Sequence, residues 1–245
     1  MRLFESLLIA LSTYSAVPVP QLDWNEKNTR YAICFFPAVG VLCGAALWLW
    51  AVLAQATGMS GVLFAAIAAC LPILVTGGIH MDGYLDTVDA LSSHQTCEKK
   101  LAIMKDANCG AFAVIYGGVY LLAYAGFAYE VFAAGHILLI CPLFVLSRAL
   151  SNARKSGMLC AFTSGVQRRT ATAALALAGL AAAAGMVWMS PTAGGMAAAF
   201  VVISALKYRR FALAQFGGVT GDTSGFFLQL CELCGLIGVW IGGLL

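Results

Sequence analysis

Residues 31–54 have the sequence YAICFFPAVGVLCGAALWLWAVLA, an apolar run without one charged side chain. About 20 such residues are enough to cross the hydrocarbon core of a bilayer as an α-helix. Over the whole chain of 245 residues, 61% are hydrophobic and 10% are charged, whereas a soluble domain carries roughly 25% charged residues. The sequence therefore predicts an all-α protein, a polytopic bundle of transmembrane helices.

The candidate spans are long apolar runs without the alternation of a barrel strand. A further stretch, Arg2–Pro20, is predicted as an interfacial or re-entrant helix, with an eighth span or a signal peptide as alternatives. We find no internal repeat or linker, so residues 1–245 are predicted to form a single integral membrane catalytic domain. The seven predicted spans are Tyr31–Ala54, Gly61–Ile79, Ala107–Ala128, Ala133–Leu150, Ala171–Met189, Gly194–Leu206 and Gly225–Leu245.

The basic residues predict the orientation. With seven spans, all 14 Lys and Arg fall on one side of the bilayer, and the opposite loops near 55–60, 129–132 and 190–193 carry none. Loops rich in Lys and Arg stay in the cytoplasm, so we expect a cytoplasmic (inner) membrane protein with its N-terminus inside. The net charge is only +3, and we expect no nucleic-acid partner. A homo-oligomer is left open.

Three of the 11 acidic residues lie close together in one segment, HMDGYLDTVDAL at residues 80–91. Asp82, Asp86 and Asp89 stand at i, i+4 and i+7, which places them within about 60° of arc on a helix. Tyr84 and Val88 fall on the other side. Like charges at this spacing repel each other, and the segment contains no Lys or Arg, so a cation is the natural missing partner.

Three interpretations of this acidic face are possible: a solvated polar surface, a proton relay or a divalent-metal site. We favour the metal site, because the rest of the chain is poor in acids. Ligands that are all carboxylates suit hard ions, Mg²⁺ first and possibly Mn²⁺. The usual further ligands of Mg²⁺ are substrate phosphates, which indicates phosphate chemistry at a site on the cytoplasmic side.

Two segments combine glycine with an acid at a predicted cytoplasmic helix start. They are MKDANCG at residues 104–110 and GGVTGDTSG at residues 217–225. Glycine lets a ligand approach the backbone, and the free N–H groups of a helix start favour anions. The alternative is an ordinary loop with a cap from Asp222 or Thr223. The candidates here are Lys105, Asp106, Thr220, Gly221 and Asp222.

Gly77 and Gly78, before the acidic segment, could likewise approach a substrate or simply separate two helices. Other single residues have two interpretations each. Arg148 and Arg154, like Lys105, could bind substrate phosphates or anchor the chain at the membrane surface.

His80, beside the acids, could be a ligand or base, or simply interfacial. Glu232 lies inside the last predicted span. An intramembrane acid is a functional candidate by default, although a neutral, hydrogen-bonded Glu between helices is the alternative.

Several motifs in order resemble those of a known family, the cobalamin synthases or adenosylcobinamide-GDP ribazoletransferases. The resemblance covers nearly the whole chain, but two positions depart from the usual pattern. Asn108 stands where a basic residue is usual, and Gln229 replaces the first of two glutamates. The matching motifs are VPVP (17–20), FPAVG (36–40), TGGIHMDGYLDTVDAL (76–91), IMKD (103–106), SR (147–148) with AR (153–154), and FGGVTGD (216–222).

The resemblance implies a specific reaction. Adenosylcobinamide-GDP would be joined to α-ribazole, or its 5′-phosphate, to give adenosylcobalamin, or its phosphate, and GMP. Asp82, Asp86 and Asp89 would hold Mg²⁺ on the diphosphate, with Asp106 also catalytic and Asp89 the residue favoured to accept the hydroxyl proton. The other candidates named above would bind the substrates. A phosphatidyl-type alcohol transferase and an ion-coupled transporter are the rival interpretations.

Overall fold

A computed structural model describes residues 2–20, 22, 23, 25, 29, 31–151 and 165–245. Over these ranges the regular secondary structure is entirely helical, which confirms the all-α prediction. Short 3₁₀ turns at Ala32–Phe35 and Ile137–Leu139 precede two of the helices. The helices are α1 (Arg2–Tyr14), α2 (Phe36–Thr57), α3 (Gly61–Thr76), α4 (Ile79–Ser92), α5 (Cys97–Ile103), α6 (Ala111–Ala133), α7 (Ile140–Ser151), α8 (Gly165–Met189), α9 (Pro191–Phe216) and α10 (Gly221–Gly243).

Several helices have the length and composition of membrane spans. Within the described part of the chain, four helices are each long and apolar enough to cross a membrane. They are Ala32–Thr57, Ala111–Ala133, Arg169–Met189 and Gly221–Gly243. The bent pair α3 and α4 meets the same criteria of length and composition when the two helices are taken together, as one broken span or a re-entrant loop. These helices indicate a multi-pass membrane protein, with a count of four or five on these criteria.

The predicted count of seven spans is not confirmed. The segment predicted at Ala133–Leu150 contains α7, which has 12 residues and measures about 18 Å at 1.5 Å per residue. The segment predicted at Gly194–Leu206 lies within the longer helix α9, whose C-terminal part contains Lys207 and further basic residues. At the N-terminus, α1 has 13 residues, which is too short for an eighth span.

The glycine pair before the acidic segment breaks the chain between two helices. Gly77 ends α3 with φ of +64°, and Gly78 begins α4 with φ of +82°. Both values lie in the left-handed region, which glycine adopts without steric cost. The axes of α3 and α4 consequently differ by 100°, so α4 turns away from the direction of the preceding helix.

Helix α10 is at the centre of the bundle, packed against α4, α6, α7 and α9. Its most apolar window is 61% buried, compared with 22% for the window at Arg169–Met189. Glycines allow the close approach: a methyl group at Gly238 would lie 2.7 Å from the Cα of Ala197 on α9. Because α10 begins at the glycine-rich segment and crosses α4, it brings that segment to the acidic helix.

Candidate active site

Two glycines set the crossing of α4 and α10. A methyl group at Gly83 would lie 2.8 Å from the Cα of Asp222, and one at Gly225 would lie 2.8 Å from the carbonyl oxygen of His80. A Cβ atom does not fit at such distances, so the two backbones are in direct contact. This crossing places Asp222, from the far end of the sequence, beside the three aspartates of α4.

The side chains of α4 divide as the spacing predicts. Tyr84 and Val88 are buried at 5% and 7% exposure, whereas Asp82 is exposed and Asp86 and Asp89 are partly buried. The carboxylate of Asp86 lies within electrostatic reach of three other acids, Asp82, Asp222 and Asp89. The predicted acidic face is therefore present, and Asp222 extends it.

This acidic group has the donor chemistry of a site for a hard cation. Among the described residues, no Lys or Arg forms an ion pair with Asp82, Asp86, Asp89 or Asp222. In the same ranges, however, no three His, Cys, Asp or Glu side chains already converge as a metal cluster. The carboxylates fit Mg²⁺ by type and charge, but they would have to draw together around the ion.

Asp89, at the far end of the acidic face, lines a cavity. Its two carboxylate oxygens lie against Gly110, where a Cβ atom would come within 2.1 Å of both. The cavity has a volume of about 360 Å³ and is lined from α4 by Asp89 and Ser92, and from the 103–112 segment by Asp106, Asn108 and Phe112 among others. Folding thus brings the MKD segment to the acidic helix.

Asp106 shapes the loop at this cavity. Its Oδ1 accepts hydrogen bonds from the backbone N–H of Asn108 at 2.9 Å and from the side-chain amide of Asn108 at 2.8 Å. These two bonds, the backbone one first, hold the pKa of Asp106 below its ordinary value. Asp106 therefore stays ionised while it fixes the turn that presents Asn108.

The cap of α10 is made by threonines. The N–H of Thr223 donates to Oγ1 of Thr220 at 3.1 Å, and the N–H of Thr220 donates to Oγ1 of Thr223 at 2.8 Å. The N-cap is Thr220, and Thr223 completes the capping box from the third helical position. The capping alternative is therefore wrong for Asp222 and partly correct for Thr223. Gly221 is exposed and faces open space.

Arg148 and Glu232 form a buried ion pair between α7 and α10. Nη1 of Arg148 lies 2.7 Å from Oε1 of Glu232, and the side chains are 0% and 1% exposed. The hydroxyl of Ser147 also donates to Oε1 of Glu232, at 3.2 Å. Glu232 therefore lies between helices and is hydrogen-bonded, as one of its two interpretations expected, and its main partner is an arginine. The substrate role predicted for Arg148 stays a prediction.

Within the described ranges, the side chains of the other predicted residues are not seen to join the acidic group. His80 is buried at 7% exposure, with its ring centroid 6.2 Å from that of Tyr14 and 5.6 Å from that of Phe36. Lys105 is exposed. Arg154 lies outside the described residues.

Two features of the site were missed from the sequence. The packing role of Gly83 and Gly225 was not predicted, although small residues on helices of a membrane bundle are the usual signal of close crossing. Gln229, noted only as a departure from the usual pattern, accepts a hydrogen bond of 2.5 Å from the hydroxyl of Tyr120 on α6. That bond ties α10 to a second neighbour.

The fold and this site together define a class: a multi-pass helical membrane protein with a carboxylate-rich site at a helix crossing. Comparison with known proteins gives the family. The model of the cobalamin-5-phosphate synthase family matches residues 6–240, and the chain belongs to this family. It is accordingly a transferase of cobalamin biosynthesis.

Three relatives illustrate the similarity, and each is named adenosylcobinamide-GDP ribazoletransferase. The protein of Lachnoclostridium phytofermentans is 40% identical over 243 residues, which cover 95% of this chain and 92% of the relative. The protein of Brevibacillus brevis is 32% identical, covering 96% and 99%, and that of Pseudomonas fluorescens is 31% identical, covering 94% and 97%. No solved structure matches the chain.

Proposed function

We propose that this protein transfers the phosphocobinamide part of adenosylcobinamide-GDP to a hydroxyl of α-ribazole or its 5′-phosphate, releasing GMP. The observation that carries the proposal is the crossing of α4 and α10 at Gly83 and Gly225, which gathers four carboxylates. Phosphoryl transfer needs positioning and charge neutralisation more than covalent help from the protein. A group of acids that can hold cations supports that chemistry.

The acids divide by position. Asp82, Asp86 and Asp222 are the residues best placed to hold Mg²⁺, with Mn²⁺ as the substitute, since they lie within electrostatic reach of one another beside the helix crossing. When bound, the ion would neutralise the negative charge of the diphosphate. Asp89 was also predicted as a ligand, but its contact with Gly110 at the cavity favours the second role predicted for it, acceptance of the hydroxyl proton.

The backbone supplies a further contact for the donor. Gly221 is exposed at the first turn of α10, and the first N–H groups of a helix favour anions. The threonine cap fixes this turn without using Asp222. We propose that Thr220 and Gly221 bind a phosphate of the donor beside the acidic group, and that exposed Lys105 approaches the donor from the other side.

We further propose that the site faces the cytoplasm from the inner membrane. All 14 Lys and Arg fall on one side of the predicted seven-span arrangement, and such loops stay inside. The nucleotide donor and the GMP product are water-soluble, which agrees with a site that opens to the cytoplasm. The proposal keeps the seven-span arrangement, in which α7 would cross together with the preceding 3₁₀ turn and α9 would also cross.

The experiment is a substrate-omission assay on the purified protein in detergent or nanodiscs. GMP should appear only when adenosylcobinamide-GDP and α-ribazole, or its 5′-phosphate, are both present, together with an equal amount of the joined corrinoid. GMP release without any acceptor would show a hydrolase. Transfer to a lipid alcohol instead of ribazole would show the rival alcohol transferase.

A further inference from the structure

The cavity at the end of α4 has the size of one small ligand. Its volume of about 360 Å³ is near the lower end of small-molecule sites, roughly 300–1,000 Å³. A corrinoid nucleotide is far larger than this. The volume is of the order of a single nucleoside, such as the proposed acceptor, and is too small for a whole corrinoid nucleotide.

The lining chemistry matches a ribose and an aromatic base. Asp89 and Asp106 offer carboxylate oxygens to hydroxyl donors, and Asn108 and Ser92 offer further polar groups. Phe112, which lines the same cavity, is 51% exposed and presents a ring on which a base can stack. Two carboxylates repel an anionic diphosphate but accept hydrogen bonds from a sugar.

From these observations we infer that the cavity between α4 and the 103–112 segment binds the acceptor nucleoside through its ribose and base. The inference rests on the proposed function and adds the place and orientation of one substrate. In this site the acceptor hydroxyl lies between Asp89 and the crossing of α4 and α10. The acidic group on that crossing holds the donor.

The reaction then balances without a further reactant. The hydroxyl oxygen of the nucleoside forms a bond to the phosphorus attached to cobinamide. The bond between that phosphorus and the bridging oxygen of GMP breaks, and GMP leaves with the electron pair. The hydroxyl proton passes to the carboxylate of Asp89.

Gly110 is a positioning residue for Asp89. Any larger residue would overlap the Asp89 carboxylate, since a Cβ atom would lie 2.1 Å from both oxygens. The overlap involves the end of a side chain rather than backbone, so the fold can accept Gly110→Ala while the carboxylate turns away. Gly118, inside the helix α6 that follows Gly110, has open space around it, and Gly118→Ala is the control.

The first test compares Michaelis constants for the two substrates. Phe112→Ala removes a stacking surface worth about 1–3 kcal/mol, which corresponds to roughly 10- to 100-fold. We expect Phe112→Ala and Asn108→Ala to raise the KM of α-ribazole at least about tenfold and to leave that of adenosylcobinamide-GDP within about twofold. The control is Val114→Ala, exposed on the same helix and outside the cavity lining.

A rise in the donor KM alone, or no change in either constant, would overturn the inference. The same shift is expected with free α-ribazole and with its 5′-phosphate, because both carry the ribose and base. A shift confined to the phosphorylated acceptor would place its phosphate in the cavity and would also overturn the inference.

The second test separates positioning from folding. Gly110→Ala should lower kcat at least about 100-fold with both acceptors. Gly118→Ala should have the kcat of the parent protein. The two variants should purify in equal yield. Full turnover of Gly110→Ala would overturn the role of Asp89. If the parent protein releases no GMP with either acceptor, the proposed function itself fails. If the parent protein is active but the cavity variants keep the parent KM for α-ribazole, only the inference about the cavity fails.

Discussion

Nη1 of Arg148 on α7 lies 2.7 Å from Oε1 of Glu232 on α10, and both side chains are shielded from solvent. Two further atoms of the pair, Nε of Arg148 and Oε2 of Glu232, have no hydrogen-bond partner among the described residues. The hydrogen-bonding groups of the two side chains are therefore only partly paired. Removing one partner would leave the other charge in an apolar interior.

The first prediction follows from this pair. Glu232→Leu should destabilise the protein by about 3–5 kcal/mol, because it leaves the Arg148 charge buried without compensation. The double variant with Arg148→Met should recover much of that loss, since a well-packed apolar pair can replace a buried ion pair. Thermal unfolding of the purified variants measures both effects. Equal stability of the parent and Glu232→Leu would contradict the account.

The second prediction concerns the acidic helix. Asp82→Asn and Asp86→Asn should each lower turnover at least about 100-fold, since each removes charge that would hold the cation. Folding should survive, because deleting one of several like charges relieves repulsion. Glu130→Gln, exposed at the far end of α6, is the control. Near-normal turnover of a well-folded Asp86→Asn protein would refute the proposed site.

The third prediction concerns the helix crossing. Gly83→Ala places a methyl group 2.8 Å from the backbone of Asp222, and backbone cannot turn aside as a side chain can. We expect a loss of about 1–3 kcal/mol in stability together with a fall in turnover, because α10 must move away from α4. Gly126→Ala, with open space around it, should change neither. An active, fully stable Gly83→Ala protein would show that the crossing is looser than described.

Much of this architecture could be predicted from the sequence. The absence of charge in residues 31–54 is enough to predict a membrane helix, and the spacing of Asp82, Asp86 and Asp89 is enough to predict one acidic face. Both are local properties that depend on helix geometry alone. The Gly77–Gly78 break could also be foreseen, because that pair interrupts the helical pattern.

Other features depend on contacts between segments distant in the chain. The ion pair joins residues 84 positions apart, and one sequence does not reveal which buried acid meets which base. The contact of Gly110 with Asp89 likewise requires the fold of the 103–112 segment. The span predicted at α7 is not confirmed, because its apolar run continues through a 3₁₀ turn and leaves an α-helix of only 12 residues.

The fourth prediction concerns the topology. Reporter fusions after Ser60 and Thr192 should be extracytoplasmic, and fusions after Gln95 and Arg169 should be cytoplasmic, as the distribution of Lys and Arg requires. The Gln95 fusion also decides how the bent pair α3 and α4 lies. A signal on the same side as Ser60 would make the pair re-entrant and would contradict the predicted orientation.

The most direct test of the central claim is the metal dependence of turnover, because Asp82, Asp86 and Asp222 at the α4–α10 crossing are proposed to act through a divalent cation. Purified protein would be treated with EDTA, freed of chelator and assayed for GMP release with both substrates at rising Mg²⁺. We predict no turnover before Mg²⁺ is added, full recovery with Mg²⁺ or Mn²⁺, and a higher Mg²⁺ requirement for Asp82→Asn. Full turnover after exhaustive chelation would contradict the account.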